Sequence, residues 1–512
     1  MNTKLRQQLA RRKRRLQKRI DKRRGFNSAR IRCSNVRYEL SEKQQAVTCG
    51  GLGMITQVVR QVELRRHIQQ LVPIFKVHSP YDETDHILNI AFNLLSGGTC
   101  LDHLELRRND EAYLDALGVS RIPDPTTAGD FCRRFGDGDI LRAMAAINRA
   151  RQTVWKQQPD SFLDHATIEA DGHMVETSGE KKDGIGMNYE RRWGYHPLVV
   201  TLAETQEVLY LSNRSGNRPS HENAAFFFDL AIRDCRKAGF RKITLRGDTD
   251  FSQTEYLDRW HEDGVEFIFG YDAAPNLVAI AENIPKTEWK RLDRSSPTKA
   301  SCRARRTNAK ERIVVEKGYK NLVLENESYT EFDYRPVACE RSYRMIVVRK
   351  EIACSRGQQR LFEDDEVRYF FYITNIDRPA KSARELIASA NKRCDQENTI
   401  SQLIACHCMT APLDNLQSNW AYMVFASLAW TLKQWSGMLV RIKGNPIHRS
   451  KLHQLRHQVI RMEFATYLNS IMLIPAQVIR TARQVLFRLL TYRPSVDVLF
   501  SLYHHIRYPL RT

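Results

Sequence analysis

The chain has 512 residues, 42% of them hydrophobic and 27% charged, with a formal net charge of +21. That length and apolar content support a large buried core divided among two to four domains, and they exclude general disorder. Eleven scattered cysteines without a CxxC pair exclude a disulfide framework and are read as reduced core residues.

Residues 1–32 hold fourteen Lys or Arg against Asp21 alone, with Arg11, Arg12, Lys13, Arg14 and Arg15 as the densest run. Such an arm repels itself and is neutralised best by a polyanion whose condensed counterions it releases, so nucleic acid is the expected partner, against a solvated or targeting tail. Leu5, Leu9, Leu16 and Ile20 fall at near-helical spacing, which predicts a basic helix on binding. The first residues lack the apolar core of roughly 7–15 residues that a secretory signal needs. The most apolar stretch, 420–432, is too short for a bilayer and is followed at once by Lys433. No membrane is expected as a partner, and a cytoplasmic protein is.

Segments 53–75 and 82–95 carry apolar residues at helical spacing, and this style continues to about residue 150. Within it, 122–131 (IPDPTTAGDF) reads as a turn before a short helix capped by Thr126 or Thr127. Arg133 and Arg134 there suit either a helix-turn-helix-like DNA contact or an ordinary helix pair. From residue 166 strands take over: 166–171 (ATIEAD), 197–202 (PLVVTL) and 208–211 (VLYL). A helix capped by Ser220 is predicted for 221–238, then strand 242–246 (KITLR), helix 253–262 and strand 265–270 (VEFIFG). This βββαβαβ order is that of an RNase H-like core. Short β-type runs at 312–315, 321–324 and 343–349, with the basic loop residues Arg303, Arg305, Arg306 and Lys310, predict a β-rich insertion in which Trp289 is a core residue or a base-stacking one. The core resumes with strand 367–374 (VRYFFYIT) and one helix over 382–406, and the rest reads as mostly helical. The Cys406, His407, Cys408 cluster lacks a second spaced pair and reads as buried helix rather than zinc site.

The fold class expected is therefore α/β: an RNase H-like catalytic core with a β-rich insertion, flanked by α-helical regions. The division is a basic arm (1–32), an α-helical DNA-binding domain (33–160), the core in two parts (161–274 and 367–410), the insertion (275–366) and an α-helical C-terminal region (411–512).

Asp171 and Asp248 end the first and fourth strands, which lie side by side in such a sheet, and Glu397 reaches them from the late helix. Two charges ~4 Å apart repel by about 4 kcal/mol at an effective dielectric near 20, so three carboxylates make sense together only with cations between them. Hard Mg²⁺ prefers carboxylate oxygen, and two ions about 3.5–4 Å apart serve phosphodiester transfer without a protein nucleophile. Glu169 and Asp250 are the rival carboxylates at the two strand ends. The loop with Arg214, Asn217 and Arg218 precedes a helix N-terminus and suits phosphate.

The blocks 171–177 (DGHMVET), 192–197 (RWGYHP), 213–222 (NRSGNRPSHE), 246–255 (RGDTDFSQTE) and 393–398 (RCDQEN) resemble those of bacterial insertion-sequence transposases of the DDE type, in the group 1 branch that carries a β-rich insertion before the Glu. The resemblance covers roughly 47–439. It implies nicking and strand transfer at the element's terminal inverted repeats, in a synaptic homodimer on double-stranded DNA and target DNA. It implies Mg²⁺, with Mn²⁺ as a substitute, on Asp171, Asp248 and Glu397, in a bacterial, nucleoid-associated protein. Phe251 matches the aromatic after the second Asp, and Arg393 matches the Arg of a Tyr-Arg-Glu-Lys signature that contacts DNA. Ala390 and Ile404 stand where that signature has Tyr and Lys. The alternatives are a non-catalytic DNA-binding transposition inhibitor and an RNase H-like nuclease on hybrid or branched substrates.

Overall fold

The computed structural model describes residues 7–8, 10–15, 18, 46–76, 80–179, 181–292, 321–355, 366–481, 484–491 and 493–510. The expected run at 312–315, the basic residues 303–310 and most of the arm lie outside them.

A nine-stranded sheet organises the molecule. Its strands are β1 (His165–Gly172), β2 (Leu198–Leu202), β3 (Glu207–Ser212), β4 (Lys242–Gly247), β5 (Glu266–Tyr271), β6 (Lys290–Arg291), β7 (Asn321–Tyr334), β8 (Tyr343–Ser355) and β9 (Glu366–Thr374). Their order is β6-β7-β8-β9-β5-β4-β1-β2-β3. β1 runs parallel to β4 and β4 to β5, while β2 is antiparallel to both β1 and β3. The first five strands thus read 3-2-1-4-5 across the sheet with only the second reversed, which is the RNase H-like topology. Every residue of β2 and β3 is buried, as expected for strands covered on both faces. The later strands extend this same sheet: β9 pairs with β5, placing Ile373 opposite Phe269, and β8 and β7 follow outward.

The helices flanking the sheet in sequence share one core. α1 (Leu52–Gln61), α2 (Leu64–Leu71), α3 (Glu83–Leu95), α4 (Pro125–Arg133) and α5 (Asp137–Trp155) precede it. α6 (Ala224–Ala238) and α7 (Leu257–Glu262) lie within it, and α8 (Ala383–Asn391), α9 (Cys394–Ala405), α10 (Leu416–Met438) and α11 (Pro446–Arg461) follow. α10 is buried at every position from Ser418 to Met438, because α1, α3, α4, α5, α11 and β3 all pack around it. A helix apolar on all sides needs such a surround. Among the described residues no helix is long and apolar enough to cross a membrane. Glu207 of β3, with no exposed surface, accepts hydrogen bonds from Arg151 Nε (3.1 Å), Trp155 Nε1 (2.9 Å) and Trp435 Nε1 (2.8 Å), tying α5 and α10 to the sheet.

Several local readings change. α4 is capped by Asp124, whose Oδ1 accepts from Thr127 N at 2.8 Å with Pro125 at the first helical position, and neither threonine serves as the cap. α6 starts at Ala224 after Asn223 in the left-handed region (φ 60°), so Ser220 lies in the preceding turn. The helix expected over 382–406 breaks at Lys392 and Arg393 into α8 and α9. The C-terminal region contains a hairpin, Ala476–Arg480 with Val485–Leu489, that pairs with Ala46–Val47. Its inward alternation of Ala476 and Val478 is the period-2 pattern of a half-buried strand.

Candidate active site

Glu169 of β1 sits opposite Arg246 of β4, so two residues further along each parallel strand Asp171 comes level with Asp248. β4 ends at Gly247, and Asp248 turns the chain, its Oδ1 accepting from Asp250 N at 3.1 Å. Asp171 Oδ1 accepts from Gly172 N at 2.8 Å. Glu397 arrives on α9, which docks on β2 through its neighbour: Gln396 is fully buried, donates from Nε2 to the Val199 carbonyl at 3.0 Å and accepts from the Thr201 hydroxyl. The α8–α9 break puts Arg393 at the start of α9. Its Nη1 donates to Asp248 Oδ2 at 2.7 Å and its Nη2 to Glu397 Oε1 at 3.3 Å. One guanidinium therefore joins two of the three expected carboxylates.

Asp171 is close enough to feel both others. Burial, then the charge of Asp248, push its carboxyl up to about 6, with Glu397 adding to the rise and Arg393 and the Gly172 N–H opposing it. Burial also raises Asp248, against the opposing pull of Arg393. Three carboxylates with one cation among them are an oxygen donor set short of positive charge, which suits a hard divalent ion. Among the described residues no three His, Cys, Asp or Glu groups form a ready metal cluster, and Asp248 and Glu397 face the guanidinium instead.

Of the rival carboxylates, Glu169 is engaged elsewhere, and Asp250 stays close enough for its charge to raise Asp248. Glu169 is 1% exposed and ion-paired with Arg246 at 2.7 Å, and Arg246 also donates to the Ser389 carbonyl at 2.8 Å, fixing the end of α8 against the sheet. Asp250 is exposed beyond Asp248. Phe251 is fully buried against Phe228, and Ala390 packs on a small apolar cluster at the α8 side of the sheet. Ile404 is on the surface at 41% exposure.

The expected DNA contacts divide. Arg214 is buried within its loop: Nε donates to the His196 carbonyl (2.9 Å), and Nη1 reaches the Pro219, Ser220 and Glu222 carbonyls. Asn217 and Arg218 are exposed on that loop, Arg218 with Glu222 at 3.7 Å. Arg11 to Arg15 are helical and exposed, and Arg12 donates to the Leu489 carbonyl at 3.4 Å. Arg133 pairs with Asp130 (2.8 Å) and Asp414 (3.0 Å), Arg134 lies over the Phe75 ring at 5.3 Å, and α4 packs on α10, so this segment is built as part of the helical core. Trp289 is partly buried, 6.2 Å from the Tyr369 ring. Cys406 and Cys408 are buried free thiols.

Sequence reasoning passed over Gln396 and His196. His196 Nδ1 meets the Arg218 carbonyl at 3.0 Å. A carbonyl only accepts, so Nδ1 carries the hydrogen and Nε2 keeps its lone pair. A Cβ added to Gly172, next to Asp171, would lie 2.7 Å from that Nε2, and burial lowers the imidazole's affinity for a second proton. The only sequence signals for them are the places of His196 in the 192–197 block and of Gln396 in the 393–398 block.

No curated protein matches the chain. A solved structure, the piggyBac transposase synaptic complex with hairpin DNA, aligns at 10% identity over 82% of this chain and 83% of that one, with a TM-score of 0.34, too slight a likeness to build on. The family model described as "Transposase DDE domain group 1" matches residues 33–509, nearly the whole length, and the chain belongs to that transposase family.

Proposed function

We propose that the protein cleaves double-stranded DNA at the terminal inverted repeats of an insertion sequence and joins the freed ends to target DNA, with Asp171, Asp248 and Glu397 holding divalent Mg²⁺, or Mn²⁺ in its place. The observation that carries this is that one guanidinium joins Asp248, at the end of β4, to Glu397 of α9, with Asp171 of β1 near enough for the charges of both carboxylates to act on it. When bound, such ions make an attacking oxygen nucleophilic and neutralise the leaving oxygen. The chain's own part is positional. The parallel β1–β4 pair sets Asp171 beside Asp248, Gln396 seats α9 on β2 so that Glu397 faces them, and the Glu169–Arg246 pair keeps α8 against the sheet. The exposed Asn217 and Arg218, the helical run Arg11 to Arg15 and the partly exposed Arg393 are the groups proposed to meet phosphate, in a homodimer that brings two DNA ends together. The proposed division runs from a basic arm (1–32) and helical DNA-binding domain (33–160), through a core split by the insertion, to a helical C-terminal region (411–512).

The test is incubation of the full chain with a plasmid carrying the DNA that flanks its coding region, in Mg²⁺. Cuts mapping to inverted repeats in those flanks, followed by joining to a second plasmid, are expected. Shifted but never nicked DNA would leave a binding protein only.

A further inference from the structure

Arg393 stands where the positive charge of a metal would be needed. Its two terminal nitrogens are committed to Asp248 and Glu397, and its remaining environment is open: the side chain is 29% exposed, Asp248 32% and Glu397 55%. Partly exposed ion pairs of this kind are weak and exchangeable. A divalent ion entering between the carboxylates competes with the guanidinium that now holds Asp248 Oδ2 and Glu397 Oε1, and the two cations repel each other at that range. The displaced guanidinium then lacks an anion, and the one this protein meets in quantity is the DNA phosphate. Arginine suits both partners, because its planar fork bonds carboxylate and phosphate alike.

We propose that Arg393 is a counter-ion that divalent metal must displace from Asp248 and Glu397, and that a DNA phosphate captures it, so that metal and DNA each tighten the binding of the other. The inference rests on the metal-holding role proposed above. It makes Arg393 a positioning residue that keeps the carboxylates together and weakens their hold on metal until DNA is present. Coupling between two ligands is reciprocal, and typical couplings are on the order of 5–150-fold.

The test measures Mn²⁺ binding to the full chain by the loss of the free-ion electron spin resonance signal, with and without a short duplex taken from the flanks of the coding region. Arg393→Gln and Asp248→Asn are compared with the parent, all shown folded by circular dichroism. The parent is expected to bind Mn²⁺ at least about 5-fold more tightly with the duplex than without it. Arg393→Gln is expected to bind Mn²⁺ more tightly than the parent without DNA and to lose most of the DNA effect. Unchanged or weaker Mn²⁺ binding by Arg393→Gln, in a series where Asp248→Asn abolishes it, would overturn this inference alone. Parent-like Mn²⁺ binding by Asp248→Asn would instead overturn the metal site on which it rests.

Discussion

Lys433 is a buried cation in the middle of α10, and replacing it with methionine tests how the helical core is held. Its ammonium has no exposed surface, donates to the Ile460 carbonyl at 2.7 Å and lies 4.2 Å from the Trp430 ring centre. Burial first, then the neighbouring Arg461 charge, push its pKa from 10.5 down to about 7. The unfolded chain therefore holds this proton more tightly than the folded one, so folding carries a penalty that is full below about pH 7 and fades as pH approaches 10.5. Linkage puts the penalty at about 4 kcal/mol at pH 7 and about 1 kcal/mol near pH 9.5. Between those pH values the parent should gain about 3 kcal/mol of stability relative to Lys433→Met, whatever the fixed cost of losing the hydrogen bond and ring contact. Urea denaturation of both proteins across this range measures the difference. Parallel pH profiles would refute the reasoning, since they would mean that Lys433 keeps an ordinary proton affinity in the folded state.

Glu207→Gln removes the anion shared by Arg151, Trp155 and Trp435, leaving a buried guanidinium uncompensated, and should destabilise the protein by about 3–5 kcal/mol in the same denaturation assay. Arg246→Met takes away the buried guanidinium paired with Glu169 and frees the end of α8 from the sheet. A loss of similar size, about 3–5 kcal/mol, is expected in the melting curve. Gly172→Ala places a methyl 2.7 Å from His196 Nε2, so the imidazole must move. A stability cost of about 1–3 kcal/mol is expected, with a chemical-shift change at the His196 ring in the histidine NMR spectrum that a neutral substitution would not give.

Much of this was legible in the sequence because the core strands are short, apolar and bounded by turn residues. 197–202 and 242–246 read as strands and form β2 and β4 within a residue or so. The nearness of Asp171 to Asp248 was legible for the same reason, since parallel neighbours in register bring strand ends together. Contacts decided in three dimensions were not. Arg214 looked like a free guanidinium in a polar loop, but four carbonyls of the folded chain surround it. The α8–α9 break is unmarked by Gly or Pro, and it determines where Arg393 points. The long apolar run of α10 showed burial without showing that helices from both ends of the chain supply it. The hairpin at 476–489 was missed because its strands are short and apolar Ile479 and Leu486 occupy outward positions, which blurs the alternation.

The most direct measurement of the central claim is cleavage of end-labelled flanking DNA in Mg²⁺ by folded Asp171→Asn, Asp248→Asn and Glu397→Gln variants, with Asp250→Asn beside them. Loss of cutting by all three, with cutting retained by Asp250→Asn, is the expected result. Strand breakage that persists in any of the three, or that depends on Asp250 instead of Asp248, would contradict the assignment of these carboxylates to phosphodiester chemistry.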